Sequence, residues 1–323
     1  MIFLVGLPQD SPVHAVHNAL HRLGAPVVFF DQWAVLDAEV QLWVDAQVKG
    51  FFRIGQQQID VQTITAMYLR NADFCRVPAI RQAGPGSRAW HHALDVHKVL
   101  FSWAELTPAL VVNRPSASAS NSAKPYQSAV IQACGFAVPA TLITTDPAAA
   151  QAFWDQYDTV IYKSLSSVRS MVARLTPAHR SRLDDLASCP TQFQQYIPGH
   201  DYRVHVVGEE VFTCEIVSAA DDYRYAHRQG ISVSMRPYTL PAVCADRCRA
   251  LAAALELVVA GIDLRLTPDG QWYCFEVNPS PAFTYYQQAT GQPIAATIAR
   301  LLAAAPTATT MPNNFQRSNY SSL

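Results

Sequence analysis

The sequence predicts a mixed α/β (α+β) protein built of more than one packed unit, and three observations carry this. The chain opens on a strand–helix–strand pattern. Its C-terminal half holds repeated antiparallel hairpin signals. Its 323 residues, half of them hydrophobic, exceed what one small core needs. A net charge of −1 implies no strongly basic face, so nucleic acid is not an expected partner. No apolar run is long enough to cross a bilayer, and "MIFLVGLPQDSP" lacks the basic leader of a secretory signal. Seven cysteines without a CxxC pair suit free thiols in a reducing compartment. Cys244 and Cys248 share a helical spacing, but no histidine or second cysteine pair completes a zinc site. The expectation is a soluble, cytoplasmic protein with no membrane partner.

"MIFLVG" reads as a buried strand. "VHAVHNALHRLG" reads as a helix whose apolar face is Val16, Ala19, Leu20 and Leu23, stopped by Gly24. "PVVFFD" completes a β-α-β opening. "GLPQDSP" holds one glycine where a dinucleotide fingerprint needs three, which argues against nicotinamide or flavin. His14, His17 and His21 form a polar stripe beside the apolar face, a solvated feature rather than a metal site. "FFRIGQQQIDVQTITAMYLRNADF" predicts two short strands and a third, and a helix runs from about Ser87 to Leu106. Small polar residues in "LVVNRPSASASNSAK" mark a boundary. Beyond it come the helix "KPYQSAVIQACGF", the strand "VPATLITTD", the helix "PAAAQAFWDQY" opened by Pro147, and strand–loop–strand in "TVIYKSLSSVRSMVARL". "CPTQFQQYIPGHDYRVHVVGEEVFTCEIVSA" predicts a strand and a long hairpin turning at "GEE". A helix over about Ala242–Leu257 precedes a last hairpin, and the polar tail is expected to fray.

That last hairpin, "AGIDLRLTPDGQWYCFEVNPSPAF", carries the chemistry. Asp269-Gly270 between β-rich runs is a two-residue turn signal. With Pro268 paired to Gln271, Asp263 falls opposite Glu276, and alternation puts Asp263, Arg265, Glu276 and Asn278 on one face. Ile262, Leu264, Leu266, Tyr273, Phe275 and Val277 take the other. Opposed carboxylates repel unless a cation lies between them, and carboxylate plus amide oxygens suit a hard ion such as magnesium. The other reading is that Arg265 neutralises the acids on a solvated face. Lys163, ending the apolar "TVIYK", and Lys124 are placed to meet phosphate oxygens or to be ordinary surface lysines. Arg70, in "YLRN", either lines a substrate cleft or makes a surface ion pair.

In order along the chain, these pieces resemble the ATP-grasp superfamily, in its branch of ribosomal-protein glutamate-ligase-like (RimK-type) enzymes, from about Asn113 to Leu302. The resemblance implies an ATP-grasp fold: a pre-ATP-grasp α/β domain (1–112), a central α+β lid domain (113–190), a C-terminal antiparallel-sheet domain with the metal site (191–305) and a polar tail (306–323). It implies that Asp263, Glu276 and Asn278 bind Mg2+ or Mn2+. Lys124 and Lys163 would contact the phosphates of ATP. Through "FQQYIPGHDYRV", Gln195, Tyr196 and Ile197 would contact adenine and Asp201 the ribose. Arg203 and Arg265 are the implied catalytic arginines, and Arg224 in "DDYRYA" a further nucleotide contact. "TGQPIAATIARLL" resembles the closing helix of the branch. Two departures stand out. The loop "SLSSVRS" lacks the glycines that usually close over phosphates, leaving serines and Arg169 as donors, and Gln195 stands where an acid is often found. "AMYLRNADF" and "CPTQFQQYI…VFTCEIVSA" also resemble ligases that close lactone or lactam rings on ribosomal peptides.

The resemblance implies an ATP-dependent carboxylate–amine ligase that acts through an acyl phosphate and releases ADP and phosphate. Its substrate would be a carboxylate-bearing amino acid or peptide, with an amine or hydroxyl as acceptor. No nucleophile elbow or Cys-His motif competes with this reading. Two alternatives stay open at this point: side-chain ester or amide crosslinking of a ribosomal precursor peptide, and a nucleotide-binding partner that has lost turnover. A homo-oligomer is compatible with the sequence.

Overall fold

The structure, a computed structural model, describes residues 1–45, 48–164, 172–218, 223 and 230–306. Two compact units divide the chain, Met1–Pro115 with the segment from Ile298, and Ser116–Thr297.

The first unit begins as the sequence predicts, with strand β1 (Ile2–Gly6), helix α1 (Ser11–Arg22) and strand β2 (Val27–Asp31). A hairpin sheet follows, of β3 (Ala38–Val44), β4 (Val48–Ile54) and β5 (Gln57–Asp60). The sequence reading passed over β3, although "AEVQL" alternates apolar and polar residues. Strand β6 (Ala66–Leu69), helices α2 (Pro78–Ala83) and α3 (Arg88–Leu106) and strand β7 (Leu110–Val112) complete it. The main sheet is parallel, in the order β2-β1-β6-β7. Phe3 stacks on Phe52 at 5.3 Å between centroids, and Trp103 meets Phe52 edge-on at 5.5 Å, joining both sheets and α3 in one core. Arg70 pairs with Asp10 at 2.6 Å.

The second unit holds the short α4 (Pro115–Ser118) and α5 (Lys124–Ala133), followed by β8 (Thr141–Thr144), α6 (Pro147–Gln156), β9 (Val160–Ser164), β10 (Ala173–Arg174) and β11 (Thr191–Gln195). Pro147 opens α6, and the Asp146 side chain caps it by accepting from the Ala148 N–H at 2.9 Å. The four strands pair antiparallel in the order β10-β9-β11-β8. Thr191–Gln195 therefore belongs to this sheet, whereas the sequence reading counted it in the segment that follows. A larger antiparallel sheet, in the order β14-β13-β12-β15-β16, uses β12 (His200–Val207), β13 (Glu210–Ser218), β14 (Val233–Tyr238), β15 (Val259–Leu266) and β16 (Trp272–Asn278). Helix α7 (Ala242–Ala254) packs on one face of it, while α8 (Thr284–Thr290) and α9 (Ile294–Ala303) end the described chain. Cys244 and Cys248 are buried core residues of α7, beside Cys274 of β16. Neither β14 nor α8 was predicted. The tail from residue 307 lies outside the described residues.

Candidate active site

Alternation splits the five-stranded sheet into two faces. Tyr202, Val204, Val206, Ala260, Ile262, Leu264, Cys274 and Val277 are buried against α7. Asp201, Arg203 and His205 of β12 and Gly261, Asp263 and Arg265 of β15 take the opposite face, in register as Asp201↔Arg265, Arg203↔Asp263 and His205↔Gly261. Glu276 lies opposite Asp263 and Asn278 opposite Gly261. The three predicted metal ligands therefore share one face at one end of the β15–β16 ladder.

The route to that register differs from the expected one. Thr267, not Pro268, pairs with Gln271: its N–H donates to the Gln271 carbonyl at 3.0 Å. Pro268, Asp269 and Gly270 form a three-residue loop, and Gly270 supplies the positive φ (86°) that it needs. That shifts the pairing by one until a β-bulge at Phe275 restores it, since Leu264 faces Cys274 but Asp263 faces Glu276. The bulge also corrects the faces. Cys274 takes the core position assigned to Phe275, Tyr273 pairs with Arg265 and so leaves the apolar face assigned to it, and the Phe275 ring lies 5.2 Å from the Arg265 guanidinium.

β16 is an edge strand, and its free side is satisfied from within the chain. The Gln127 amide of α5 donates to the Val277 carbonyl at 2.8 Å and accepts from the Val277 N–H at 2.9 Å. Ala137 pairs with Tyr273, accepting from the Cys274 N–H at 2.9 Å. Glu276 and Asn278 are thus held on a rigid strand, and the Asn278 amide oxygen accepts from the Ser280 N–H at 2.8 Å.

Arg203, not Arg265, answers the acidic pair. Its Nη1 donates to Asp263 Oδ1 at 2.6 Å, and the residue is 6% exposed. Burial opposes its charge, but the adjacent Asp263 carboxylate, together with Tyr286 and Tyr223, raises its pKa on balance. Gly261 makes room for it: a Cβ there would lie 2.3 Å from Arg203 Nη2. Below it His205 is buried, and burial together with the nearby guanidinium drives its pKa well down, so the imidazole is neutral. Arg265 instead holds Asp201 with Nε and Nη2 at 2.7 and 3.0 Å, and gives Nη1 to the Ile197 carbonyl at 2.7 Å. This fork ties together two residues implied as ribose and adenine contacts. Two guanidinium groups lie near the Tyr196 ring, Arg174 at 4.2 Å and Arg265 at 5.7 Å from its centre. The backbone N–H groups of Gln195 and Tyr196 donate to Ala140 and Thr159 carbonyls at 2.9 and 3.0 Å, so a bound base would use other groups of this segment.

Lys163 sits on β9 opposite Gln192, on the sheet face away from the core formed by Val160, Leu183, Leu186 and Phe193. Lys124 opens α5, one turn before Gln127. Arg224 and the loop "LSSVRS" with Arg169 lie outside the described residues. Among the described residues no three His, Cys, Asp or Glu side chains gather as a metal centre. The set at β15–β16 is two carboxylates and an amide, a hard-oxygen donor set that fits magnesium completed by phosphate oxygens. Sequence reasoning missed Gln127, His205, Tyr223 and Tyr286. For Gly261 a signal existed, a glycine inside an apolar strand, which marks close approach.

A model of the RimK-like ATP-grasp domain matches residues 119–302. The chain belongs to the RimK-like ATP-grasp family. No curated protein matches it in sequence. Solved structures extend the likeness over nearly the whole chain. The macrocyclase MdnC of Microcystis aeruginosa MRC, bound with precursor peptide MdnA, is 22% identical over 93% of this chain and 98% of its own, with TM-score 0.78. The ATP-grasp ligase PsnB, complexed with a phosphomimetic variant of its minimal precursor, Mg and ADP, is 26% identical over 94% and 98%, with TM-score 0.79. A RiPP-associated ATP-grasp ligase of Chryseobacterium gregarium, in complex with ADP and a leader and core peptide, is 21% identical over 93% and 96%, with TM-score 0.79. The RimK-like chain therefore has the ATP-grasp fold that the sequence resemblance implied, and it is an ATP-dependent ligase. Among the described residues no helix is long and apolar enough to cross a membrane.

Proposed function

We propose that this ligase joins a side-chain carboxylate of a ribosomally made peptide to a hydroxyl or amine of the same peptide. The supporting observation is that the likeness to peptide-bound ligases covers 93–94% of the chain, including the unit before residue 116 that the domain match leaves out. The acceptor, hydroxyl or amine, sets whether the product is an ester or an amide.

In the proposed reaction a substrate carboxylate oxygen attacks the γ-phosphorus of ATP, and the bond to the β-phosphate oxygen breaks to release ADP. The acceptor then attacks the acyl carbonyl, phosphate leaves, and the acceptor's proton is lost. Both steps need negative charge neutralised at fixed positions more than they need a nucleophilic side chain. Asp263, Glu276 and Asn278 would hold the metal. There magnesium would supply positive charge that offsets the negative charge of the transferring phosphoryl group. Arg203, with one carboxylate partner and an Nε that has none among the described residues, keeps donor capacity for a phosphate or acyl phosphate oxygen. Lys124 and Lys163 are the further proposed phosphate contacts, and Arg224 a further proposed nucleotide contact. Gln195, Tyr196, Ile197 and Asp201 are the proposed nucleoside contacts. Arg265 supports Ile197 and Asp201 from behind.

Calorimetric titration of a non-hydrolysable ATP analogue with and without magnesium tests the site. Wild type is expected to bind in a magnesium-dependent manner, and Glu276→Ala to lose about tenfold or more of that affinity. Failure of wild type to bind with magnesium would remove the ligase reading. Arg265→Lys, which cannot form the fork, is expected to weaken nucleotide binding about tenfold in the same assay. Incubation with ATP, magnesium and a short peptide encoded beside the gene should yield a product lighter by one water per bond formed, seen by mass spectrometry.

A further inference from the structure

We infer that Tyr286 is a positioning residue that aims the Arg203 guanidinium at the terminal phosphate of the nucleotide, an assignment that rests on the function proposed above. The guanidinium is bounded on three sides. Asp263 accepts from Nη1 at 2.6 Å, the Cβ-less Gly261 lies against Nη2, and the Tyr286 ring centre lies 5.7 Å from Cζ. A planar fork delivers its donors only along the plane it is held in, so the groups that fix the plane fix where the remaining N–H groups point. Asp263 alone allows rotation about one hydrogen bond. The ring is the second constraint.

Tyr286 is itself held. It is 8% exposed, its hydroxyl lies 2.8 Å from the Tyr223 hydroxyl, and its ring lies 5.2 Å from His205. Its neighbour Tyr285 is 56% exposed, so α8 turns one tyrosine of the pair onto the sheet and the other outward. Two buried nitrogens close to this ring, Arg203 Nε and His205 Nε2, have no hydrogen-bond partner among the described residues. Buried donors left open are costly unless something accepts from them. A nucleotide oxygen reaching the open Arg203 donor would remove that cost at Arg203.

The test compares dissociation constants for ADP and for a non-hydrolysable ATP analogue, both with magnesium, because only the second carries the terminal phosphate. Wild type is expected to favour the triphosphate. Tyr286→Leu should shrink that preference about five- to tenfold while changing ADP affinity less than about twofold, in line with loss of a buried cation–π contact. Tyr286→Phe keeps the ring and should keep the preference within about twofold. If the leucine variant fails to fold, Tyr286→Met, whose unbranched side chain adapts to irregular gaps, also lacks an aromatic face and gives the same reading. An unchanged preference in the leucine or methionine variant would overturn the positioning role and leave the ligase reading intact. Absence of nucleotide binding in wild type would overturn both.

Discussion

Arg203→Ala is expected to unfold at a midpoint about 6–12 °C below wild type. The substitution strips Asp263 of its cation, and Asp263, 24% exposed, then faces Glu276 across the ladder with no positive charge between them. Breaking a buried pair typically costs about 3–5 kcal/mol, and partial exposure of Asp263 puts this case near 3. For a unit of the size of Ser116–Thr297, which carries the pair, each kcal/mol moves the midpoint by about 2–4 °C. Magnesium supplies a distinguishing arm. An ion that binds the folded site and not the unfolded chain stabilises by mass action, and in the variant it also relieves the repulsion. The magnesium-induced rise in the midpoint is therefore expected to be larger in Arg203→Ala than in wild type, as read by thermal unfolding across a magnesium series. Equal midpoints without magnesium would show that Arg203 does not neutralise the acidic pair.

Gly261→Ala is the second large effect, and one methyl group suffices. The added Cβ would lie 2.3 Å from Arg203 Nη2 and 2.7 Å from Pro281 Cβ, both well inside contact distance. The guanidinium is the end of a flexible side chain, but its hydrogen bond to Asp263 and its place over the Tyr286 ring both oppose the move. Overpacking of this kind costs about 1–3 kcal/mol, and the displaced arginine should take with it the preference for triphosphate over diphosphate. The two substitutions are coupled. With Arg203 already truncated, the alanine methyl meets only Pro281, so Gly261→Ala should cost less in the Arg203→Ala background than alone. A double-mutant cycle on unfolding free energies checks this, and strict additivity would mean that the clash is with Pro281.

How much of this was legible beforehand depends on the range of the interaction. The strand–helix–strand opening, the capped helices and the long hairpin follow from local periodicity and turn chemistry, and the sequence places them correctly. The Asp263–Glu276 pairing was also predicted, but through two departures that cancel: a loop one residue longer than expected, and a bulge that restores the register. A bulge has no reliable local signature, which is why Phe275 was assigned to the wrong face. Partner choice was not legible at all. Arg265 shares a face with the acids by alternation, yet its geometry favours Asp201 one strand over, while Arg203 from β12 takes Asp263. Tyr286 and Gln127 act on residues 83 and 150 positions away, Arg203 and Val277. Only the folded sheet brings such pairs together.

The amide of Gln127 has one more consequence. Sheet edges are where extended peptides commonly dock, by adding a strand to an open row of N–H and C=O groups. On the β16 side that row is interrupted twice, by Gln127 at Val277 and by Ala137 at Tyr273. A peptide of the proposed kind cannot extend the five-stranded sheet there without displacing Gln127 or Ala137. Capture by strand addition is closed at the border nearest the acidic residues, so in the proposed reaction a carboxylate would reach them across the sheet's face.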